Sequence, residues 1–294
     1  MRIRPESSRK IFNNPNPPKE IWQKQFDDFD QQLKKLARSN WKEIEDKDLW
    51  YYFHDLAYVE LQPDLFNYLF PVCLNFWYQS LIANESASRG GLDLHQALIR
   101  GQIFEKMTTS KQTEAIFKFF HDGFIDRIEM ERGFQYYGSS TPAYFWISRF
   151  NSLGITAPII DRIWSSWWNF NHPGKAVSAV MYASGLVYLG GENPIFGEWT
   201  RRGGGGGPYL TESDFDLDDT GWIQHNVSFL KETLSVKYIQ EKLKIAADRL
   251  QREPEAKIAK KVAKDALAKS DIIEIRIDDL INGLSRGFDE FEWQ

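Results

Sequence analysis

Cysteine is all but missing: Cys73 is the only one in 294 residues. That excludes an intramolecular disulfide and any cysteine-built zinc or iron–sulfur cage, each of which needs several thiolates. A reducing compartment is the expected setting. Cys73 itself sits in Pro71-Val-Cys-Leu74, an apolar context that raises a thiol's pKa and leaves it inert. Long apolar runs are missing too. The longest, Ala176 to Gly191, is diluted by Ser178, Ser184 and Gly185 and falls short of the ~20 residues a spanning helix needs. It is expected to be core. The basic opening, Met1 to Lys10, is followed by no apolar stretch of the signal-peptide kind, so a cytoplasmic protein without membrane contact is expected. Positive charge is not in excess either: 36 Lys and Arg face 41 Asp and Glu, a formal charge of -5. This balance argues against a nucleic-acid binder, whose affinity comes from releasing phosphate counterions with Lys and Arg. It suits a basic protein partner.

Sequence signatures of catalysis are lacking as well. Gly174-Lys175 is followed by Ala176 and preceded five residues earlier by Asn169, so no P-loop forms there. The run Gly203 to Gly207 ends in Pro208 and is no dinucleotide fingerprint. Gly283-Leu-Ser-Arg-Gly287 spells Gly-x-Ser-x-Gly, but it follows a stretch read as helix where a hydrolase elbow needs a strand. No Glu-x-x-His pair or His-Glu-x-x-His motif occurs, which removes the di-metal carboxylate bundle and the zinc-protease helix. Asp216-x-Asp218-x-Thr220-Gly221 begins like a calcium loop, but its twelfth position is Val227 where a bidentate glutamate is required. In the register starting at Asp214, the sixth position is Asp219 and the twelfth is His225.

What the chain does have is aromatics: 21 Phe, 12 Tyr and 11 Trp, or 15% of the residues. Most stand at helical spacing. Ile21, Trp22, Phe26, Phe29, Leu33, Leu36 and Ala37 predict one helix, with Asn16 as cap and Pro17 and Pro18 in its first turn. A second is expected from about Asp46, with Leu49, Phe53, Leu56 and Ala57 on one stripe, and a third from Pro63 to Leu81, kinked or divided at Pro71. Leu92 to Phe104 reads as a short helix, and Thr109 with Gln112 is a capping-box signature for a longer one that ends near Gly133. Pro142 to Leu153 and Pro158 to Phe170 follow, the latter presenting Ile160, Ile163, Trp164, Trp167 and Trp168 as a face that is either core or a docking surface. Val227 to Gln251, Glu255 to Lys269 and the region around Asp278 to Gly283 also read as helices. Between Lys231 and Lys269 the lysines are interleaved with acids, as on a solvated face.

The expected fold is therefore mainly α: an aromatic-rich multi-helix body, a long Gly/Asp-rich loop and a helical C-terminal portion. The organisation expected is an N-terminal segment 1–18, a helical domain 19–190, the Gly/Asp-rich region 191–226, and the C-terminal portion 227–294, packed on the helical domain.

Two of the five histidines are followed by aspartate, His54-Asp55 and His121-Asp122. Adjacent His and Asp on a helix can both reach a metal when a second helix supplies another histidine. Phe117-Lys-Phe-Phe-His-Asp-Gly123, with His95 upstream and Asp126 or Asp161 downstream, resembles the His…His-Asp…Asp arrangement of the HD-type phosphohydrolases, which are all-helical. The resemblance covers a few residues only. It implies a divalent metal held by His95, His121 and Asp122. The bland alternative places His121 at the border of an apolar face, with Asp122 solvated.

Acidic charge, abundant Trp and Tyr, and missing catalytic signatures point instead to a non-enzymatic interaction protein without a cofactor. The concrete expectation is a neutralising or immunity-type protein that binds a basic toxin or nuclease. Its first contacts are expected to be Asp214, Asp216, Asp218, Asp219 and Trp222.

Overall fold

The computed structural model describes residues 6–83, 90–134, 142–144, 154–189, 192–196 and 223–285. Among them lie thirteen helices and no strand, a mainly-α protein with an aromatic interior, as expected. No helix among the described residues is long and apolar enough to cross a membrane. The chain divides into two compact units, Met1–Asp126 and Arg127–Gln294.

The first unit contains α1 (Glu6–Ile11), α2 (Asp30–Arg38), α3 (Asp46–Tyr58), α4 (Pro63–Ala83), α5 (Gly90–Arg100), α6 (Ile103–Lys106) and most of α7 (Ser110–Glu129). Helix α4 is its centre: α1, α2 and α5 pack on it, and α3 packs on α5. Apolar side chains cover α4 on every side, from Leu65 and Phe66 to Trp77 and Leu81. Pro71 removes one backbone donor, yet the helix runs through it unbroken. The expected division at that proline does not occur, because burial on every side outweighs the missing bond. Rings lock α4 to its neighbours. Phe66 and Phe70 stack at 4.7 Å with Phe12 edge-on to both, and Trp77 meets Phe120 edge-on at 4.8 Å and Phe124 at 5.4 Å. Each such fully buried ring stabilises the fold by roughly 2–3 kcal/mol. Helix α7 reaches Trp77 only because Gly123 has no side chain; a Cβ there would lie 2.7 Å from the indole. Thr109 and Gln112 form the expected capping contact, the Thr109 N–H donating to Gln112 Oε1 at 2.9 Å and the Gln112 N–H to Thr109 Oγ1 at 3.3 Å.

The second unit contains α8 (Ile160–Trp167), α9 (Pro173–Val187), α10 (Gln224–Thr233), α11 (Val236–Arg249), α12 (Ala256–Ala268) and α13 (Ser270–Leu284). Helix α9 is buried from Gly174 to Val187, with α11, α12 and α13 packed around it. This is the apolar run that the sequence assigns to core. His172 caps it, its Nδ1 accepting the Gly174 N–H at 3.2 Å, and Pro173 follows at the first helical position. The tryptophans of α8 and the residue after it face inward: Trp164 stacks on Trp168 at 5.1 Å, and Trp164, Trp167 and Trp168 all meet Tyr182 of α9 nearly at right angles. That face is core, not a docking surface.

The long helix expected from Val227 to Gln251 is two helices, divided where Ser235 takes an extended conformation and its hydroxyl accepts the Tyr238 N–H at 3.1 Å. Residues 272–277 lie inside α13, in line with the helix expected at this end of the chain. The helix expected over Pro142 to Leu153 lies largely outside the described residues.

Candidate interaction surface

The largest departure from the expected pattern lies ahead of α2. The helix predicted through Ile21, Trp22, Phe26 and Phe29 begins only at Asp30. Residues 20–29 form no helix; buried and exposed side chains alternate along residues 22–26, and the polarity is inverted. Gln23 and Gln25 point inward and are almost fully buried, whereas Trp22 is 53% and Phe26 49% exposed.

Side-chain chemistry explains the inversion. Gln62, at the start of α4, accepts the N–H groups of Trp22 at 2.8 Å and Gln23 at 3.3 Å on its Oε1, and donates from Nε2 to the Glu20 carbonyl at 2.7 Å. Gln23 returns the contact, its Oε1 accepting the Gln62 N–H at 2.9 Å. Beneath them lies Asp55 of α3, fully buried. Its carboxylate accepts Gln23 Nε2 at 3.0 Å, Gln25 Nε2 at 3.1 Å and the Phe26 N–H at 2.8 Å. The backbone donors of Trp22, Gln23 and Phe26 are thus satisfied by Gln62 and Asp55 of neighbouring helices, which competes directly with helix formation. Burial pushes the Asp55 carboxyl up to about 6, against the pull of the hydrogen bonds from Phe26, Gln23 and Gln25.

Outside this polar layer, the rings form a continuous strip. Trp50, His54 and Tyr58 stand at i, i+4 and i+8 on α3, one helical face. Phe26 stacks on Tyr58 at 4.7 Å and meets His54 edge-on at 6.2 Å; Trp50 meets His54 at 5.9 Å. Alongside, Phe29 packs on Tyr51 at 4.5 Å. His54 Nδ1 pairs with Asp27 Oδ2 at 2.8 Å, tying the strip to the segment again. At one end the Arg100 guanidinium lies over the Tyr58 ring, 5.7 Å from its centroid, and bonds its hydroxyl. Trp50, Phe29 and Tyr58 are all more than a third exposed. From Glu20 to Glu60 the sequence carries ten carboxylates and six Lys or Arg side chains, so the strip is set in acidic surroundings.

Of the residues singled out from sequence, some fall outside the described residues and the others do not belong to this strip. Asp214, Asp216, Asp218, Asp219 and Trp222 lie outside the described residues. His95 is buried on α5. His121 pairs through Nδ1 with Oδ1 of its neighbour Asp122 at 3.0 Å, and Lys118, one turn back, also pairs with Asp122. Burial opposes the Asp122 charge, but the hydrogen bonds from His121 and Lys118 outweigh it and hold the carboxylate below its usual range. Asp126 accepts the Tyr78 hydroxyl at 2.9 Å. Among the described residues no three His, Cys, Asp or Glu side chains gather into a group that could hold a metal ion, so His95, His121 and Asp122 are not assembled into one. Cys73 is fully buried, which drives its thiol pKa up and leaves it no role as a nucleophile.

The strip was hidden from sequence reading because its rings match helical spacing. The available signal is the pair of glutamines at 23 and 25, which a buried helical stripe would not place between Trp22 and Phe26. No family model, curated protein or solved structure matches this chain.

Proposed function

We propose that this chain is a non-enzymatic interaction protein that captures a basic protein partner, in the manner of a neutralising or immunity protein facing a basic toxin or nuclease. The observation that carries this reading is the inverted segment: glutamines are buried and tryptophan and phenylalanine are exposed. Buried polar groups and exposed large apolar groups are the informative exceptions to ordinary packing, and here they occur on alternate residues of one segment. Aromatic side chains are the usual anchors of protein interfaces, and surrounding carboxylates speed and orient the approach of a cationic partner. The acidic residues Asp214, Asp216, Asp218 and Asp219, with Trp222, extend the same chemistry in sequence and belong to the same proposal.

Affinity capture from cell extract with the wild-type chain and a Phe26→Ala, Trp50→Ala variant tests it. The expected result is a basic protein retained by the wild type, released as salt is raised, and lost with the variant. A partner held equally by both proteins, or held independently of salt, would contradict the reading.

A further inference from the structure

Resting on that reading, we infer that the strip recognises arginine: a guanidinium of the partner stacks on the exposed ring of Phe26 or Trp50 and pairs with the carboxylate of Asp27. The molecule already seats one guanidinium against a ring of this strip. Arg100 lies over the Tyr58 ring and bonds its hydroxyl, and Phe26 is stacked on that same ring. A guanidinium on Phe26 or Trp50 would continue the series.

Asp27 supplies the counter-charge. Its Oδ2 is taken by His54, while Oδ1 accepts no hydrogen bond among the described residues. The side chain is 31% exposed, so a cation can reach it from solvent. Lys24, three residues before it in sequence, pairs with Asp30 at 2.8 Å and not with Asp27. Because His54 touches Phe26 and Trp50 as well as Asp27, the carboxylate and the rings belong to one cluster.

Arginine fits this cluster better than lysine. The guanidinium is planar and weakly hydrated, so it lies flat on a ring while its edge N–H groups still reach a carboxylate. A compact, strongly hydrated ammonium loses more water for the same contact.

The test is calorimetric titration of the full chain with a short arginine–glycine peptide and with its lysine counterpart of equal length and charge. The arginine peptide is expected to bind about five-fold tighter or better. Trp50→Ala and Asp27→Asn should each lower its affinity several-fold and shrink the preference, with the helical circular dichroism unchanged. Equal affinity for both peptides, weakened alike by the variants, would overturn arginine recognition and leave the basic-partner reading standing. Binding of neither peptide would overturn both. Binding of the arginine peptide unaffected by either variant would place recognition elsewhere and overturn the site.

Discussion

Asp55 shows how one residue sets the surface. Three donors from a single segment converge on its buried carboxylate, so truncation leaves all three without an acceptor. Asp55→Ala is expected to cost about 2–4 kcal/mol in urea unfolding, since each unsatisfied buried donor costs about 1–3 kcal/mol and the variant is relieved of burying a charge. The same residue gives stability a pH dependence. Its folded pKa, about 6, lies above the ordinary aspartate value of 3.8, so the folded state binds the proton more readily than the unfolded chain. The contribution of Asp55 is therefore fully present below the unfolded value and is lost as pH rises through the folded one. Between about pH 7 and about pH 5 the wild type should gain about 1 kcal/mol relative to Asp55→Asn, read from paired unfolding curves. A gain in the opposite direction would mean that the hydrogen bonds, not burial, dominate the site. Gly123 is the other decisive single residue. Its added methyl would meet the Trp77 ring at 2.7 Å, so Gly123→Ala should destabilise by about 1–3 kcal/mol despite alanine's better helix propensity.

Among elements, the segment 20–29 depends on partners outside itself. Gln62 holds its upstream half, so Gln62→Ala should speed amide exchange at Trp22 and Gln23 by at least about ten-fold while leaving the amides of α4 beyond its first turn protected. This dependence also marks where sequence reading succeeds and fails. Helix α3 begins at Asp46 and buries Leu49, Phe53 and Leu56, because an apolar stripe and its surroundings agree. The Thr109–Gln112 cap and the buried helix α9 are legible for the same reason: their signals are local. Residues 21–29 carry an equally good helical stripe, but the decision is made by Asp55 and Gln62, some thirty to forty residues away. Local periodicity contains no information about such acceptors. The paired His121-Asp122 motif misleads in a related way: adjacency in sequence suggests ligands for a metal, whereas on α7 the two side chains bond each other and Lys118.

For the whole molecule, the mainly-α class follows from composition and spacing, while the surface that gives it a use does not. The tryptophans that draw attention in sequence, Trp164, Trp167 and Trp168, are spent on the interior of the second unit. Among the described residues, the tryptophans offered to solvent, Trp22 and Trp50, belong to the first unit, within a stretch whose formal charge is negative. In the proposed function, acidic charge steers, rings anchor, and buried glutamines fix the rings in place. The most direct test of the proposal is oxidative side-chain footprinting of the chain, alone and in the presence of a basic protein retained by affinity capture. Trp22, Phe26, Trp50 and Tyr58 are expected to become protected on binding, while exposed residues of the second unit such as Ile245 and Leu267 continue to react. If those four rings remain as reactive in the complex as in the free chain, the docking surface lies elsewhere and the proposed function of the strip is wrong.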